Sequence, residues 1–249
     1  MDKMIDAKIS VVMPVYNEEE VISRSLKECK NEILKHFAQG EIIVIDDCSS
    51  DGTAVVLERL KKSIPELITI KNPVNSGHGV SLMKALNRAD GDYIFAIDSD
   101  YQHLPHEFWK LFAKMKDVDI ATGLRSQRQD DVHRLIISKV ANFLARTFFA
   151  CPWQDLNIPF KLFSHKGLKK LLPLIPEKSL IPSIMIMVAA ARAGAHVSQV
   201  EVTHLPRTTG QCSLPGRRLI SFCGRALTEL VIFRCTKWRR ILPCFPPSP

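Results

Sequence analysis

Residues 41–53 read EIIVIDDCSSDGT. Ile42, Ile43, Val44 and Ile45 are consecutive, so whichever way the side chains alternate, both faces of this strand are apolar. A strand of that kind belongs inside a sheet covered by helices on both sides. The paired Asp46-Asp47 and the small polar residues behind them mark the point where the chain leaves the sheet and turns toward a helix opening near Thr53. The same grammar repeats outward from this stretch. ISVVMPV (9–15) lies before it, and LITIK (67–71) and DYIFAID (92–98) lie after it. Helical stretches open at Glu18-Glu19-Glu20, near Thr53, and over about residues 78–89. Apolar strands alternating with helices predict an α/β fold of βαβ units, Rossmann-like, with a mostly parallel central sheet flanked by helices. In such sheets ligands bind beyond the carboxyl ends of the strands.

The second half is less regular. A helix is expected over about residues 131–150, a short strand at FKLF (160–163), a helix from near Pro182 and a strand at HVSQVEV (196–202). A polar loop, HLPRTTGQCSLPG (204–216), leads to a last helix from about Arg217, and the tail CFPPSP (244–249) is too rich in proline to continue it. There is no internal repeat and no low-complexity linker. The expected division is one α/β domain over residues 1–216 and a basic amphipathic helix with a proline-rich tail over 217–249.

With 249 residues, 46% of them hydrophobic, the chain can bury one sizeable core. Its formal net charge of +8 suits a polyanionic partner: nucleic acid, an anionic membrane surface or a phosphorylated substrate. The seven cysteines show no Cys-x-x-Cys pair, so neither a disulfide framework nor a zinc site is indicated and a reducing compartment is expected. The amino terminus lacks a signal-peptide core, and no run reaches the roughly 18 apolar residues of a membrane span, so a soluble or peripherally bound chain is expected.

Three strand ends carry unusual chemistry. DYIFAID runs into Ser99-Asp100, which places Asp98 and Asp100 two residues apart, a spacing that lets both carboxylates face one point. A hard divalent ion, Mg²⁺ or Mn²⁺, is the natural occupant, with Gln102 and His103 within reach; an acidic turn after a strand is the alternative. After EIIVID, the loop residues Asp51 and Thr53 are explained by capping the next helix, but the adjacent Asp46-Asp47 is not. The first strand ends in Pro14-Val15-Tyr16-Asn17-Glu18, an aromatic face and a carboxylate beside the same crevice. Gly77-His78-Gly79 lacks the third glycine of a dinucleotide fingerprint and reads as a tight turn before a helix. His103 and His106 read as surface histidines, and Phe108, Trp109, Leu111 and Phe112 as core.

Taken together, VVMPVYNEE, EIIVIDDCSSDGT, NSGHG, GDYIFAIDSDYQH, GLR, residues 134–138, DLNIPFKLF and HLPR-x-x-G resemble the inverting family-two glycosyltransferases, in family order from about residue 8 to 216. The nearest likeness is to the dolichyl- or polyprenyl-phosphate glycosyltransferases of the dolichol-phosphate mannose synthase type. That resemblance implies a GT-A fold and transfer of a hexose from a UDP- or GDP-sugar to a polyprenyl phosphate, with no nucleic acid as partner. By position it implies that Pro14, Tyr16, Glu18 and Asp47 form the nucleobase and ribose pocket, and that Asp98, Asp100 and Gln102 form the metal site. It places Arg125, Arg134, Ser138 and Arg207 at the phosphates of donor and acceptor, and Asp155 near the reacting centre.

Arginine meets a phosphate with two parallel hydrogen bonds, which suits Arg125 and Arg134 to the charge that develops on a leaving diphosphate. The i, i+4 spacing of Arg134 and Ser138 makes them neighbours on one helical face. In one respect the chain departs from the family: Cys212-Ser213 stands where a Ser-Lys pair is usual. Two other readings stand beside this one, transfer to a sugar hydroxyl in cell-surface glycan synthesis and a non-catalytic nucleotide-sugar or membrane-binding protein.

In the last helix, Arg218, Ser221, Arg225 and Glu229 fall on one face and Leu219, Cys223, Ala226, Leu227 and Leu230 on the other, followed by Lys237, Arg239 and Arg240. A basic amphipathic helix of this kind is expected to hold the protein on the cytoplasmic face of a membrane, alone or beside a separate anchor protein. The alternative is that its apolar face packs on the rest of the chain, and Ile232 on the polar face and Arg234 on the apolar one blur the pattern.

Overall fold

The computed structural model describes residues 4–125, 143, 146–206 and 216–236. Its frame is a seven-stranded sheet made of β1 (Ile5–Val15), β2 (Phe37–Asp46), β3 (Leu67–Lys71), β4 (Tyr93–Ala96), β5 (Ile120–Arg125), β6 (Lys161–Ser164) and β7 (Val197–Val202). The order is β3-β2-β1-β4-β6-β5-β7. The last seven residues of β1 and the last six of β2 are all buried, as strands covered on both faces must be. β1 pairs in parallel with β2 and β4, β2 with β3, and β5 with β7. β6 runs antiparallel to both its neighbours, β4 and β5. The sheet is therefore mostly parallel with one reversed strand inside it.

Helices α1 (Ile22–Glu32), α2 (Thr53–Lys61) and α4 (Phe108–Phe112) cover one face, where Ile22, Leu26, Leu57, Phe108 and Leu111 close over Val11, Val44 and Phe95. On the other face lie α3 (His78–Arg88), α5 (His165–Leu171), α6 (Pro182–Ala193) and α7 (Gly216–Thr236). Ten of the twelve residues of α6 are buried, because its run of Ile, Met, Val and Ala is apolar all round. It ends on Gly194, whose φ of 76° supplies the left-handed cap and whose amide donates to the Ala190 carbonyl. Phe108 and Leu111 are buried with Trp109 and Phe112 packed against them, as the sequence indicated.

α7 departs from the expected split of faces. Phe222, Ala226, Leu230 and Phe233 turn toward the core, whereas Leu227 is exposed. Glu229, placed on the polar face by the helical wheel, reaches inward and accepts a hydrogen bond from the Leu180 amide at 2.9 Å. A carboxylate that finds an amide donor is drawn in where the wheel alone would leave it in water. Arg218 and Leu219 have no described side chains, and Lys237, Arg239 and Arg240 lie outside the described residues.

The loop before α6 presses on α3 at Gly79. A Cβ there would stand 2.4 Å from the Ser179 carbonyl oxygen and 2.7 Å from that of Leu180. Neither backbone atom can yield as a flexible side chain would. Gly79→Ala is expected to destabilise the protein by about 1–3 kcal/mol, readable from the midpoint of urea unfolding. An unchanged midpoint would show that the loop moves away freely.

Candidate functional site

The strand order 3-2-1-4 reverses direction between β1 and β4, and the crevice of such a sheet opens at that switch point, beyond the carboxyl ends of β1, β2 and β4. Four non-glycine residues in the left-handed region ring it: Asn17 (φ 54°), Cys48 (φ 62°), Tyr101 (φ 59°) and Asp155 (φ 44°). Strain of this kind, about 1–3 kcal/mol per residue, persists only where the surroundings fix it, and it gathers at working sites.

Each loop is tied to its neighbour. The Glu18 amide donates to Thr53 Oγ1 at 2.9 Å, the Asn17 amide to Ser49 Oγ at 3.0 Å, and the Gly52 amide to Glu19 Oε2 at 2.6 Å. Asp51 accepts from the Thr53 amide at 3.0 Å, the helix-opening bond expected of it. Glu18 is buried beside β1, while Tyr16 keeps 39% of its surface exposed, an open aromatic face at the mouth of the crevice. Asp47 is buried and its carboxylate accepts from Asn72 Nδ2 (2.8 Å), the Ser76 amide (2.9 Å) and the Gly77 amide (2.7 Å). It thereby fixes the loop at the start of α3 as well as lining the crevice. Asn72 carries no motif and is invisible in the sequence as a partner of Asp47.

Asp98 and Asp100 both follow the end of β4 at Ala96, in the turn beyond it, so the strand alternation expected to aim them does not reach them. Asp98 Oδ1 meets His78 Nε2 at 2.9 Å, and Asp100 Oδ1 accepts from the Gln102 amide at 3.1 Å. Burial alone would push the Asp98 carboxyl up, but the facing His78 outweighs it and holds Asp98 below the usual carboxylate range. His78 is raised by Asp98 in turn, against its own desolvation. The turn Gly77-His78-Gly79 does open a helix, but its histidine faces the aspartates, a contact between residues 20 apart that local pattern does not reveal. Helix α1 steadies the same loop: Ser25 Oγ donates to the Ser99 carbonyl at 3.0 Å, and the Tyr101 hydroxyl donates to Glu28.

Among the described residues no group of three or more His, Cys, Asp and Glu side chains is arranged to hold a metal ion. Two carboxylates remain, which is the protein share typical of Mg²⁺ bound together with substrate phosphates and water. The residues thus fit a divalent ion that arrives with a diphosphate better than a fully caged one. Gln102 sits beside them but spends its side-chain amide on the Leu205 carbonyl at 3.1 Å, and its own carbonyl accepts from the Leu205 amide at 2.9 Å. This clasp ties Leu205 to the turn that carries Asp100. His103 is a correction, since it is 3% exposed rather than a surface residue. It packs against Phe160 and His204 and meets the Thr203 carbonyl at 3.2 Å, and desolvation drives it down to about 4. His106 is exposed as read.

Arg125 and Asp155, 30 residues apart, form a bidentate pair: Nε to Oδ2 at 2.7 Å and Nη2 to Oδ1 at 2.6 Å. Their side chains are 8% and 6% exposed. The reversal of β6 makes this possible, because the segment entering β6 arrives at the sheet end where β5 finishes. Arg134, Ser138 and Arg207 lie outside the described residues, as do Cys212 and Ser213.

Lys161, which the sequence reading passed over within FKLF, is buried at the first position of β6. Burial lowers it from 10.5 to about 7, offset by Asp155 and reinforced by Arg125. Between these two values the unfolded chain keeps a proton that the folded chain has released. The penalty for burying Lys161 is therefore full below about pH 7 and relieved above about pH 10.5. Wild type is expected to gain stability relative to Lys161→Met as pH rises through that window, measured by urea unfolding. A difference that does not change with pH would mean Lys161 keeps its ordinary value.

A sequence model of Glycosyl transferase family 2 matches residues 10–172, more than half of the chain and the whole of the ring just described. The chain belongs to glycosyl transferase family 2. Among curated relatives, the undecaprenyl-phosphate 4-deoxy-4-formamido-L-arabinose transferase of Proteus mirabilis is 29% identical over 229 residues, covering 90% of this chain and 68% of that protein. The protein of the same name from Salmonella choleraesuis is 28% identical over 225 residues, covering 90% and 67%.

Among solved structures, glucosyl-3-phosphoglycerate synthase from Mycobacterium tuberculosis in complex with phosphoglyceric acid superposes with a TM-score of 0.65 at 21% identity, covering 92% of this chain and 80% of that one. The same enzyme with Mn²⁺, UDP and glucosyl-3-phosphoglycerate gives a TM-score of 0.64 at 22% identity, over 92% and 80% of the two chains. The fold of this family-two chain is therefore that of known GT-A glycosyltransferases.

Proposed function

We propose that the protein transfers a hexose from a UDP- or GDP-sugar to the phosphate of a polyprenyl or dolichyl lipid, with inversion at the anomeric carbon. The observation that carries this reading is that Arg125, gripped by the buried Asp155, lies close enough to Asp98 to help hold that carboxylate down. An acidic cluster able to take a divalent ion beside a guanidinium suits a substrate whose leaving group is a diphosphate. The relatives named for undecaprenyl phosphate support the lipid acceptor, and the neighbour holding UDP and Mn²⁺ supports the donor and the ion.

In this reading Pro14, Tyr16, Glu18 and Asp47 cradle the base and ribose. Asp98 and Asp100, with Gln102 alongside, hold Mg²⁺ or Mn²⁺, which neutralises charge developing on the leaving diphosphate. Arg207 contacts the donor, and Arg134 with Ser138 receives the acceptor phosphate. A phosphomonoester, with a second pKa of about 6, is largely dianionic at neutral pH and needs no strong base. Asp155 therefore orients groups rather than removing a proton. Arg125, gripped by Asp155, turns to phosphate when one arrives to compete for its donors.

Incubation with a panel of nucleotide sugars, Mn²⁺ and a polyprenyl phosphate, followed by mass identification of the product, tests the reading. A glycosyl phosphate lipid cleaved by mild acid is expected; a product that survives mild acid points to a hydroxyl acceptor, and no turnover of any donor overturns the enzymatic reading.

The acceptor lies in a bilayer, so the enzyme must meet a membrane. No described helix is long and apolar enough to cross one. On α7, Leu227, Val231 and Ile232 are 45–55% exposed, with Arg225 and Arg234 exposed on the same helix. Docking on the cytoplasmic leaflet through this face is the accompanying proposal, each nearby Arg or Lys contributing about 1 kcal/mol on anionic lipid. Because Leu230 and Phe233 belong to the core, deleting α7 would disturb the fold. Val231→Glu with Ile232→Glu is the cleaner test: the full chain should float with anionic liposomes at low salt and the double variant should not. Equal flotation of both would remove α7 from the contact.

A further inference from the structure

Lys161 begins β6 between Ala96 of β4 and Thr122 of β5 and is 2% exposed. Along the chain it is flanked by Phe160, Leu162 and Phe163, all buried. Leucine or methionine would fill such a place without the cost of taking an ammonium out of water. Its hydrogen bonds go to two main-chain carbonyls of a single turn, Leu156 O at 3.1 Å and Ile158 O. That turn opens with Asp155 in the left-handed region and closes when the Ile158 amide donates to the Asp155 carbonyl at 3.3 Å. Arg125 grips the side chain of Asp155, and Lys161 grips the backbone that follows it. A non-glycine residue with positive φ keeps that conformation only while its surroundings impose it, and here two cations do so.

We propose that Lys161 is a positioning residue for Asp155: its amino group, donating to the Leu156 and Ile158 carbonyls, holds the 155–158 turn so that the carboxylate faces Arg125, and keeps it aimed when Arg125 engages a substrate phosphate. The charges around it are consistent with this role, because Asp155 favours the ammonium while Arg125 opposes it. When Arg125 turns to a phosphate, Lys161 stays close to Asp155. The proposal rests on the reading of Asp155 and Arg125 given under Proposed function.

The test uses the full chain carrying Lys161→Met or Lys161→Gln, each alone and combined with Asp155→Asn. Lys161→Met is expected to lower kcat by about 10-fold or more, the usual cost of a misplaced reacting group, while the dissociation constant for UDP with Mn²⁺, read by calorimetry, changes less than about 2-fold. In the Asp155→Asn background the same substitution should cost less than about 2-fold, because residues acting through one another are not additive. Lys161→Gln keeps an amide donor and should recover part of the loss. An unchanged kcat, or the same fold loss in both backgrounds, overturns the proposal. If Lys161→Met does not fold, Lys161→Gln carries the same comparison.

Absence of transfer by wild type to any polyprenyl phosphate would count against the proposed function alone. The inference is then judged on urea midpoints, where non-additive shifts for Lys161→Gln and Asp155→Asn support it and additive shifts overturn it.

Discussion

Replacing Asp100 by asparagine is expected to weaken Mn²⁺-dependent binding of UDP or GDP by on the order of 100-fold and to lower transfer at least as far. The substitution keeps the size of the side chain and its ability to accept from the Gln102 amide, but it removes half of the carboxylate charge offered by Asp98 and Asp100. A hard dication at a site with two protein carboxylates depends on both. Asp98→Asn should be as damaging for a second reason. It also removes the charge facing His78, so the imidazole loses the partner that raises it. Calorimetric titration of nucleotide with and without Mn²⁺ decides the matter. If Asp100→Asn binds nucleotide as tightly as wild type, with the same dependence on Mn²⁺, these aspartates do not hold the ion.

A second large effect is expected at the Arg125–Asp155 pair. Both side chains are almost fully buried and meet in two parallel bonds of 2.6 and 2.7 Å, so removing either partner leaves a charge in a place chosen for two. Breaking a buried pair in this way typically costs about 3–5 kcal/mol. Asp155→Ala should be the worse of the two, because it takes from the buried Arg125 guanidinium the carboxylate that meets it in two bonds, while the Lys161 amine beside it can shed its proton. Arg125→Met leaves Asp155 with Lys161 still near it. Urea unfolding of the two variants is expected to show a loss of that size for Asp155→Ala and a smaller one for Arg125→Met. Losses below 1 kcal/mol for both would mean that the pair is solvated in solution and that its burial contributes little.

The parallel half of the fold was legible because its signal is local: four apolar runs ending in polar residues, the first three followed by helical spacing, predict β1 to β4. Asp98 and Asp100 were legible as acids just past an apolar run, but β4 ends at Ala96, so it is the turn after the strand and not strand alternation that sets their directions. What could not be read were contacts that join distant segments. His78 with Asp98, Asn72 with Asp47, and Gln102 with Leu205 each depend on how strands lie side by side, which periodicity does not encode.

Lys161 was passed over because a lysine inside FKLF resembles an ordinary strand residue whose charge escapes to water. Only burial on both sides of β6 shows that it has nowhere to go. The wheel drawn for α7 failed at Leu227 and Glu229 for a related reason: spacing defines a stripe, but the neighbour it rests on decides which edge of the stripe is covered.

The reversed strand also sets a timetable. β1, β2 and β3 find all their sheet partners within residues 5–96, so the crevice floor can close early in synthesis, once that stretch has emerged from the ribosome. β5, the Asp155 turn and β6 follow, and β6 must insert between β4 and β5, joining residues 93–96 to 161–164 across a long loop of chain. Closing that loop is slow relative to local pairing. Until it closes, the exposed edge of β4 offers unpaired backbone to any passing strand. A nascent chain paused between residues 100 and 160 is thus the form of this protein most open to aggregation, and the form in which a chaperone has most to protect.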